Sequence, residues 1–163
     1  MDQAAFTAFY NETAPALRGY IRRVSQDGEV ADDLLQETYV RFLRAKPDVT
    51  DAASVKGYLY KTATAAIYDY WRKRRSERLW SLTFRFREAV KPAEGSGDVS
   101  RCFEKLNPRE RALLWLAYVE GYAHNEIAAT LDLSEKSIKV LLFRARRNLE
   151  RILRQNGLSE VKP

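Results

Sequence analysis

The amino-acid sequence predicts an all-α protein of two small helical domains joined by a flexible linker, the C-terminal one carrying a helix-turn-helix. Three observations predict it. Apolar residues recur at spacings of three and four almost everywhere, the period of a helix rather than of a strand. That period lapses over residues 82–99, "LTFRFREAVKPAEGSGDV", whose Pro92, Gly95, Ser96 and Gly97 are residue types that mark a linker. Residues 127–147, "IAATLDLSEKSIKVLLFRARR", begin as one helix, break, and resume as a second that grows steadily more basic. The boundaries that follow are a first domain over 1–78, a linker over 79–99 and a second domain over 100–163.

In the first domain, Phe6, Phe9, Tyr10, Leu17, Tyr20, Ile21 and Val24 form an amphipathic stripe, and Pro15 is expected to kink or split that helix. A second helix follows "SQDG". Ala31, Leu35, Thr38 and Phe42 fall on one of its faces at 4-3-4 spacing, while Asp33, Glu37, Val40 and Arg44 occupy the other. A third helix is expected from about Ser54 to Arg75, with Val55, Leu59, Ala63, Ala66 and Tyr70 facing inward. Its opposite face places Lys61, Thr64, Tyr68, Arg72 and Arg75 in a line, flanked by Tyr60 and Trp71. Cations attract phosphates and aromatic rings stack on unpaired bases, a combination suited to single-stranded or melted DNA. The same residues also fit a core stripe and a solvated helix end whose charges complement the macrodipole.

The second domain contains "NPRE", in which Asn107 is a helix N-cap, Pro108 the first helical residue and Glu110 the reciprocal capping partner. In the stretch that follows, Ile127, Ala128 and Leu131 supply the inner face of a short helix, and Leu133 plugs the turn. Ser134 is the expected N-cap of the last helix, along which Ile138, Leu142, Ala145, Leu149 and Ile152 continue the apolar stripe. Lys136, Lys139, Val140, Phe143 and Arg147 face outward with Arg144 beside them, as a helix entering a major groove would present them. Helical hairpins that never touch DNA share the Ala, Leu and Ser pattern. Seven basic residues against one acidic residue between Lys136 and Arg154 favour binding.

Composition bounds the partners. The chain has 163 residues and carries 28 Lys and Arg against 22 Asp and Glu, a net charge of +6 that favours a polyanion, with nucleic acid ahead of a membrane surface. Residues 100–163 carry 12 basic and 8 acidic side chains, residues 1–75 carry 12 and 10, so the second domain is the more cationic. No apolar run reaches 18 residues and "MDQAAFTAFY" lacks the features of a secretion signal, so a soluble cytoplasmic protein is expected. Cys102 and His124 stand alone, which excludes an internal disulfide and zinc as determinants of the fold; no cofactor, metal or small-molecule substrate is expected. Asp32 with Asp33, or Ser137 near Lys139, lack a supporting base, metal or Gly-rich loop, so an enzyme is not expected.

The order of these segments resembles a bacterial extracytoplasmic-function sigma factor, the smallest type in the sigma-70 family, over nearly the whole chain. "EVADDLLQETYVRFLRA" resembles region 2.2, "YLYKTATAAIYDYWRKRR" regions 2.3 and 2.4, and "LNPRERALLWLAYVEGYAHNEIAATLDLSEKSIKVLLFRARRNL" region 4. The resemblance implies an alternative sigma factor that directs core RNA polymerase to specific promoters and helps to melt them. It implies that Asp32, Asp33, Gln36 and Glu37 contact the clamp helices of the polymerase β′ subunit. It assigns Tyr60, Lys61, Tyr68, Trp71, Arg72 and Lys73 to the −10 element, and Ser134, Lys136, Ser137, Lys139, Val140, Arg144 and Arg147 to the −35 element. An anti-sigma factor is the further partner it implies. Thr64 and Ala65 stand where many members have Arg-Asn, Val140 and Leu141 where many have Ser-Arg, and Asp132 where a turn Gly is usual. A shared promoter consensus therefore does not follow from the resemblance, and Val140 could instead touch a thymine methyl. A stand-alone helix-turn-helix regulator and a sigma-like interaction protein are the alternatives.

Overall fold

A computed structural model describes residues 1–81 and 98–158. Among these there are seven α-helices and no strand: α1 (Gln3–Ser25), α2 (Gly28–Ala45), α3 (Ala52–Ser81), α4 (Asp98–Glu104), α5 (Pro108–Tyr118), α6 (His124–Leu131) and α7 (Glu135–Gln155). The chain falls into two compact units, Met1–Phe86 and Arg87–Pro163. Of the expected linker, residues 79–81 belong to α3 and 98–99 to α4, and the remainder, 82–97, lies outside the described residues.

In the first unit α1, α2 and α3 all pack on one another. Asp2 caps α1 by accepting the Ala5 amide, Asp27 caps α2 through the Glu29 amide, and Asp51 accepts both the amide and the hydroxyl of Ser54 at the head of α3. Those bonds hold the Asp51 carboxyl below its ordinary pKa. Helix α1 runs unbroken through Pro15, so the expected split does not occur. The proline removes one amide donor, while Ala14 and Leu17 on either side remain buried in the core. Leu17, Tyr20, Ile21 and Val24 of α1 are fully buried, as are Ala31, Leu35, Thr38 and Phe42 along α2, in the predicted register. Gln26 and Lys46 end α1 and α2 in the left-handed region, each donating its amide to the carbonyl four residues back.

Helix α3 differs from the single stripe that the spacing predicts. Leu59, Ala63 and Ala66 are buried as expected, but Tyr60, Thr64 and Ile67 are buried with them. Packing against both α1 and α2 covers two adjacent rows of side chains, a wider arc than one neighbour would.

In the second unit α5, α6 and α7 pack mutually and α4 lies on α7. The capping box at the head of α5 forms as the sequence implies: the Glu110 amide donates to Asn107 Oδ1 at 2.8 Å and the Asn107 amide to Glu110 Oε2 at 3.2 Å. Asn148 Nδ2 donates to the same carboxylate at 3.0 Å, tying α7 to this cap. Ile127, Ala128 and Leu131 of α6 and Ile138, Leu142, Ala145 and Ile152 of α7 are buried in the core, as are Leu106, Leu113 and Leu116. Arg111 is buried too and donates to the Leu106 carbonyl. Asp132 adopts φ 55°, ψ 51° in the turn between α6 and α7, the left-handed conformation that Asp tolerates better than most residues.

Candidate nucleic-acid interface

Three helix faces carry the candidate residues. On α3, the exposed line runs through Lys61, Ala65, Arg72 and Arg75 with Tyr68 half-buried, so Ala65 takes the place expected of Thr64. Two assignments fail here. Tyr60 is 2% exposed, with its ring centroid 5.1 Å from that of Tyr20, and cannot present a stacking face to a base. Thr64, also 2% exposed, donates to the Tyr60 carbonyl and accepts the Tyr20 hydroxyl at 2.7 Å. Both lie on the row that α1 covers. Trp71 is half-buried, with the Tyr70 ring 5.8 Å away on one side and the Arg74 guanidinium 6.0 Å from its centroid. Lys61, Arg72 and Lys73 are exposed, and Arg72 donates to Asp69.

The remaining aromatic and charged groups of this end of α3 are held from α2. Arg41 donates to Glu37 at 2.8 Å and to Asp69 at 3.1 Å, and these carboxylates, Glu37 first, raise its pKa. Tyr70 and Arg74 both donate to Asp27 Oδ2, at 2.8 and 3.2 Å. Burial, then the Asp27 carboxylate, raises the Tyr70 pKa. Spacing along one helix could not reveal the contacts of Arg41 with Asp69 and of Asp27 with Tyr70 and Arg74, because they join residues 28 to 47 positions apart. The one available signal was Asp27 itself, a capping residue type within the "SQDG" turn.

On α2, Asp32, Asp33, Gln36 and Glu37 are all exposed. Asp32 pairs with Arg18 of α1 at 2.9 Å and Glu37 with Arg41, while the side chains of Asp33 and Gln36 have no partner among the described residues. Val40 and Leu43 extend this face as exposed apolar side chains.

On α7, Lys136, Lys139, Val140, Arg144 and Arg147 are exposed and Ser137 is half-buried. Val140 is 48% and Phe143 55% exposed, and the Arg147 guanidinium lies 5.9 Å from the Phe143 ring centroid. Ser134 occupies the N-cap position, but its hydroxyl makes no capping bond. Its carbonyl instead accepts the amide and the hydroxyl of Ser137, an alternative that a short polar residue inside the first turn offers. The Ser134 hydroxyl is thus exposed beside Lys136 and available to a ligand. Arg146, which the sequence left unassigned, donates to the Tyr118 hydroxyl at the end of α5.

Two family models match in tandem: Sigma-70 region 2 over residues 9–77 and Sigma-70 region 4 over residues 96–149, together about three quarters of the chain. The chain belongs to the sigma-70 family. Region 2 is thus the α1–α3 unit and region 4 the helix-turn-helix unit. Among its relatives, the ECF RNA polymerase sigma factor SigL of Mycobacterium tuberculosis is 25% identical over 97% of this chain and 94% of its own length. The ECF RNA polymerase sigma factor SigM of Bacillus subtilis is 29% identical over 80% of this chain and 84% of its own. The fold is shared with the sigma factor RpoE of Bartonella quintana, solved in complex with the anti-sigma factor NepR, at a TM-score of 0.75 and 23% identity over 92% of this chain and 97% of that one. CnrH, solved in complex with the cytosolic domain of CnrY, matches at a TM-score of 0.67 and 24% identity over 94% and 90%. No described helix of this sigma-70 chain is long and apolar enough to cross a membrane.

Proposed function

We propose that this protein is an alternative sigma factor of the extracytoplasmic-function type, which joins core RNA polymerase, directs it to specific promoters and assists their melting. The observation that carries the reading is the pairing of the two sigma-70 modules, each with a basic helix face exposed to solvent: Lys61, Arg72, Lys73 and Arg75 on α3, and Lys136, Lys139, Arg144 and Arg147 on α7. The first domain, taken as 1–78, docks on the β′ clamp helices through Asp32, Asp33, Gln36 and Glu37. The ion pairs of Asp32 and Glu37 are solvent-exposed and weak enough to be exchanged for cations of the polymerase. Lys61, Tyr68, Trp71, Arg72 and Lys73 meet the −10 element. The second domain, taken as 100–163, reads the −35 element with Ser134, Lys136, Ser137, Lys139, Val140, Arg144 and Arg147.

The protein performs no bond chemistry of its own and works in the cytoplasm with the polymerase. Its second partner is an anti-sigma factor, the class of partner with which RpoE was solved. Joining two weak DNA contacts through one chain makes avidity depend on the spacing of the two promoter elements. Run-off transcription from fragmented genomic DNA with purified core polymerase tests the function. Transcripts should require this protein, and inserting five base pairs between the −35 and −10 elements should abolish them. Equal output without the protein, or from the lengthened promoter, would sink the proposal.

A further inference from the structure

The apolar core does not reach the end of α3 that carries the melting residues. Between Leu59 and Ile67 each turn of the helix buries two side chains, but from Tyr68 to Ser76 none is fully buried. Polar contacts help to fix this end of α3: Asp69 accepts from Arg41 and Arg72, and the Asp27 carboxylate accepts from Tyr70 and Arg74 on either side of Trp71. Its Oδ1 accepts the Glu29 amide at 3.1 Å, capping α2, and its Oδ2 accepts the Tyr70 hydroxyl and an Arg74 Nη1 proton. Arg74 Nη1 also lies 2.6 Å from the Tyr70 hydroxyl, and Tyr70 and Arg74 are the two groups that flank Trp71. The Asp27–Arg74 pair is about a quarter exposed, against more than half for Arg18–Asp32, so it is less screened.

We propose that Asp27 is a positioning residue for promoter melting: by capping α2 and clamping Tyr70 and Arg74 with one carboxylate, it locks the orientation of Trp71 to the frame of the polymerase-docking helix. The inference rests on the assignment of Trp71 to the −10 element. Asp27 touches no DNA. Its effect appears in the step that needs Trp71 in one place, the capture of an unpaired base, and spares the docking face of α2.

The test uses the full chain with core polymerase on a promoter identified by run-off transcription. Permanganate reactivity of −10 thymines reports melting, and native gels report core occupancy. Tyr70→Phe and Arg74→Gln leave the cap of α2 intact, so they serve even where Asp27→Ala unfolds the unit. Each should lower melting about fivefold at equal core occupancy, since each removes a hydrogen bond to or from a charged group. Asp27→Asn, which can still cap and accept from Tyr70, should fall between wild type and Asp27→Ala. A promoter with a pre-opened −10 bubble should bring Tyr70→Phe and Arg74→Gln within about twofold of wild type, which a loss of folded protein would not allow. Wild-type melting by Tyr70→Phe while Trp71→Ala is defective would overturn the inference alone. Loss of melting only in proportion to core occupancy would do the same. Wild-type melting by Trp71→Ala would overturn the −10 assignment beneath it.

Discussion

Replacing Tyr60 separates a core residue from a DNA contact, because the two roles predict losses of different size in different measurements. The Tyr60 ring is 2% exposed and lies against Tyr20, itself 0% exposed, beside the Thr64 hydroxyl that Tyr20 bonds. Truncating a fully buried aromatic side chain to Ala costs about 3–5 kcal/mol, because the lost transfer energy is joined by the cavity left behind. A base stacked on an exposed ring would contribute about 1–3 kcal/mol to DNA binding and nothing to the free protein. Amide hydrogen exchange of the free chain reads the difference, since the most protected amides of α1–α3 report opening of that unit alone. With about 1.4 kcal/mol per factor of ten, Tyr60→Ala should speed their exchange by on the order of 100-fold or more. The amides of α5–α7 should keep their rates and serve as the internal control. Unchanged protection in α1–α3, together with a loss of promoter melting, would refute the assignment of Tyr60 to the core.

In the second unit, Asn107→Ala removes one half of the capping box and should destabilise it by about 1 kcal/mol, read as faster exchange of the α5–α7 amides. At residue 132, φ 55° predicts the stability order Gly at least equal to Asp, with Ala lower by about 1 kcal/mol, measured by thermal unfolding. Lys139→Ala and Arg144→Ala should each flatten the dependence of log affinity on log salt by about 0.9 for holoenzyme on promoter duplex if each contacts a phosphate; an unchanged slope would remove that residue from the backbone contacts. Burial, with Glu120 and Glu126 nearby, pushes the Tyr122 pKa well above its ordinary value near 10.0. The unfolded chain then loses this proton first, so Tyr122 stabilises the fold fully below about pH 10, a contribution lost as pH rises toward its folded pKa. Tyr122→Phe should weaken the alkaline fall in stability of the second unit, and an unchanged fall would place its origin elsewhere.

Period and capping chemistry made the helices of both units legible, because they depend on residues within one or two turns of each other. The α2 register and the Asn107–Glu110 box stand as the sequence implies, and so does the α7 stripe apart from Leu149, which is half-buried. What the sequence misplaced lies on a second row of α3. Packing on two partners buries a row beside the predicted stripe on α2, where it holds Leu34 and Tyr39, and on α3, where it holds Tyr60, Thr64 and Ile67; only on α3 did that row contain residues read as facing outward. Ser134 shows a second limit: the residue type marks the start of α7, but its carbonyl, rather than its hydroxyl, takes the local bonds. The contacts of Asp27, Asp69 and Asn148 join distant segments and leave no local pattern to read.

On the proposed assignment, the first unit gives its two tasks to different helices of one core. Helix α2 offers Asp33, Gln36, Val40 and Leu43 outward while Leu35, Thr38 and Phe42 point inward, and α3 offers Lys61 and Arg72 outward above Ala63 and Ile67. Helix α1 buries Leu17, Tyr20 and Ile21 among them. A substitution in that shared core must weaken polymerase docking and promoter melting together, since neither face stands without it. Contacts on the rim, such as Arg41 with Asp69 and Asp27 with Tyr70 and Arg74, can be cut with the core intact. Variants that dock normally yet fail to melt should therefore map to these rim contacts or to the exposed side chains of α3, and variants that fail in both to the residues between the helices.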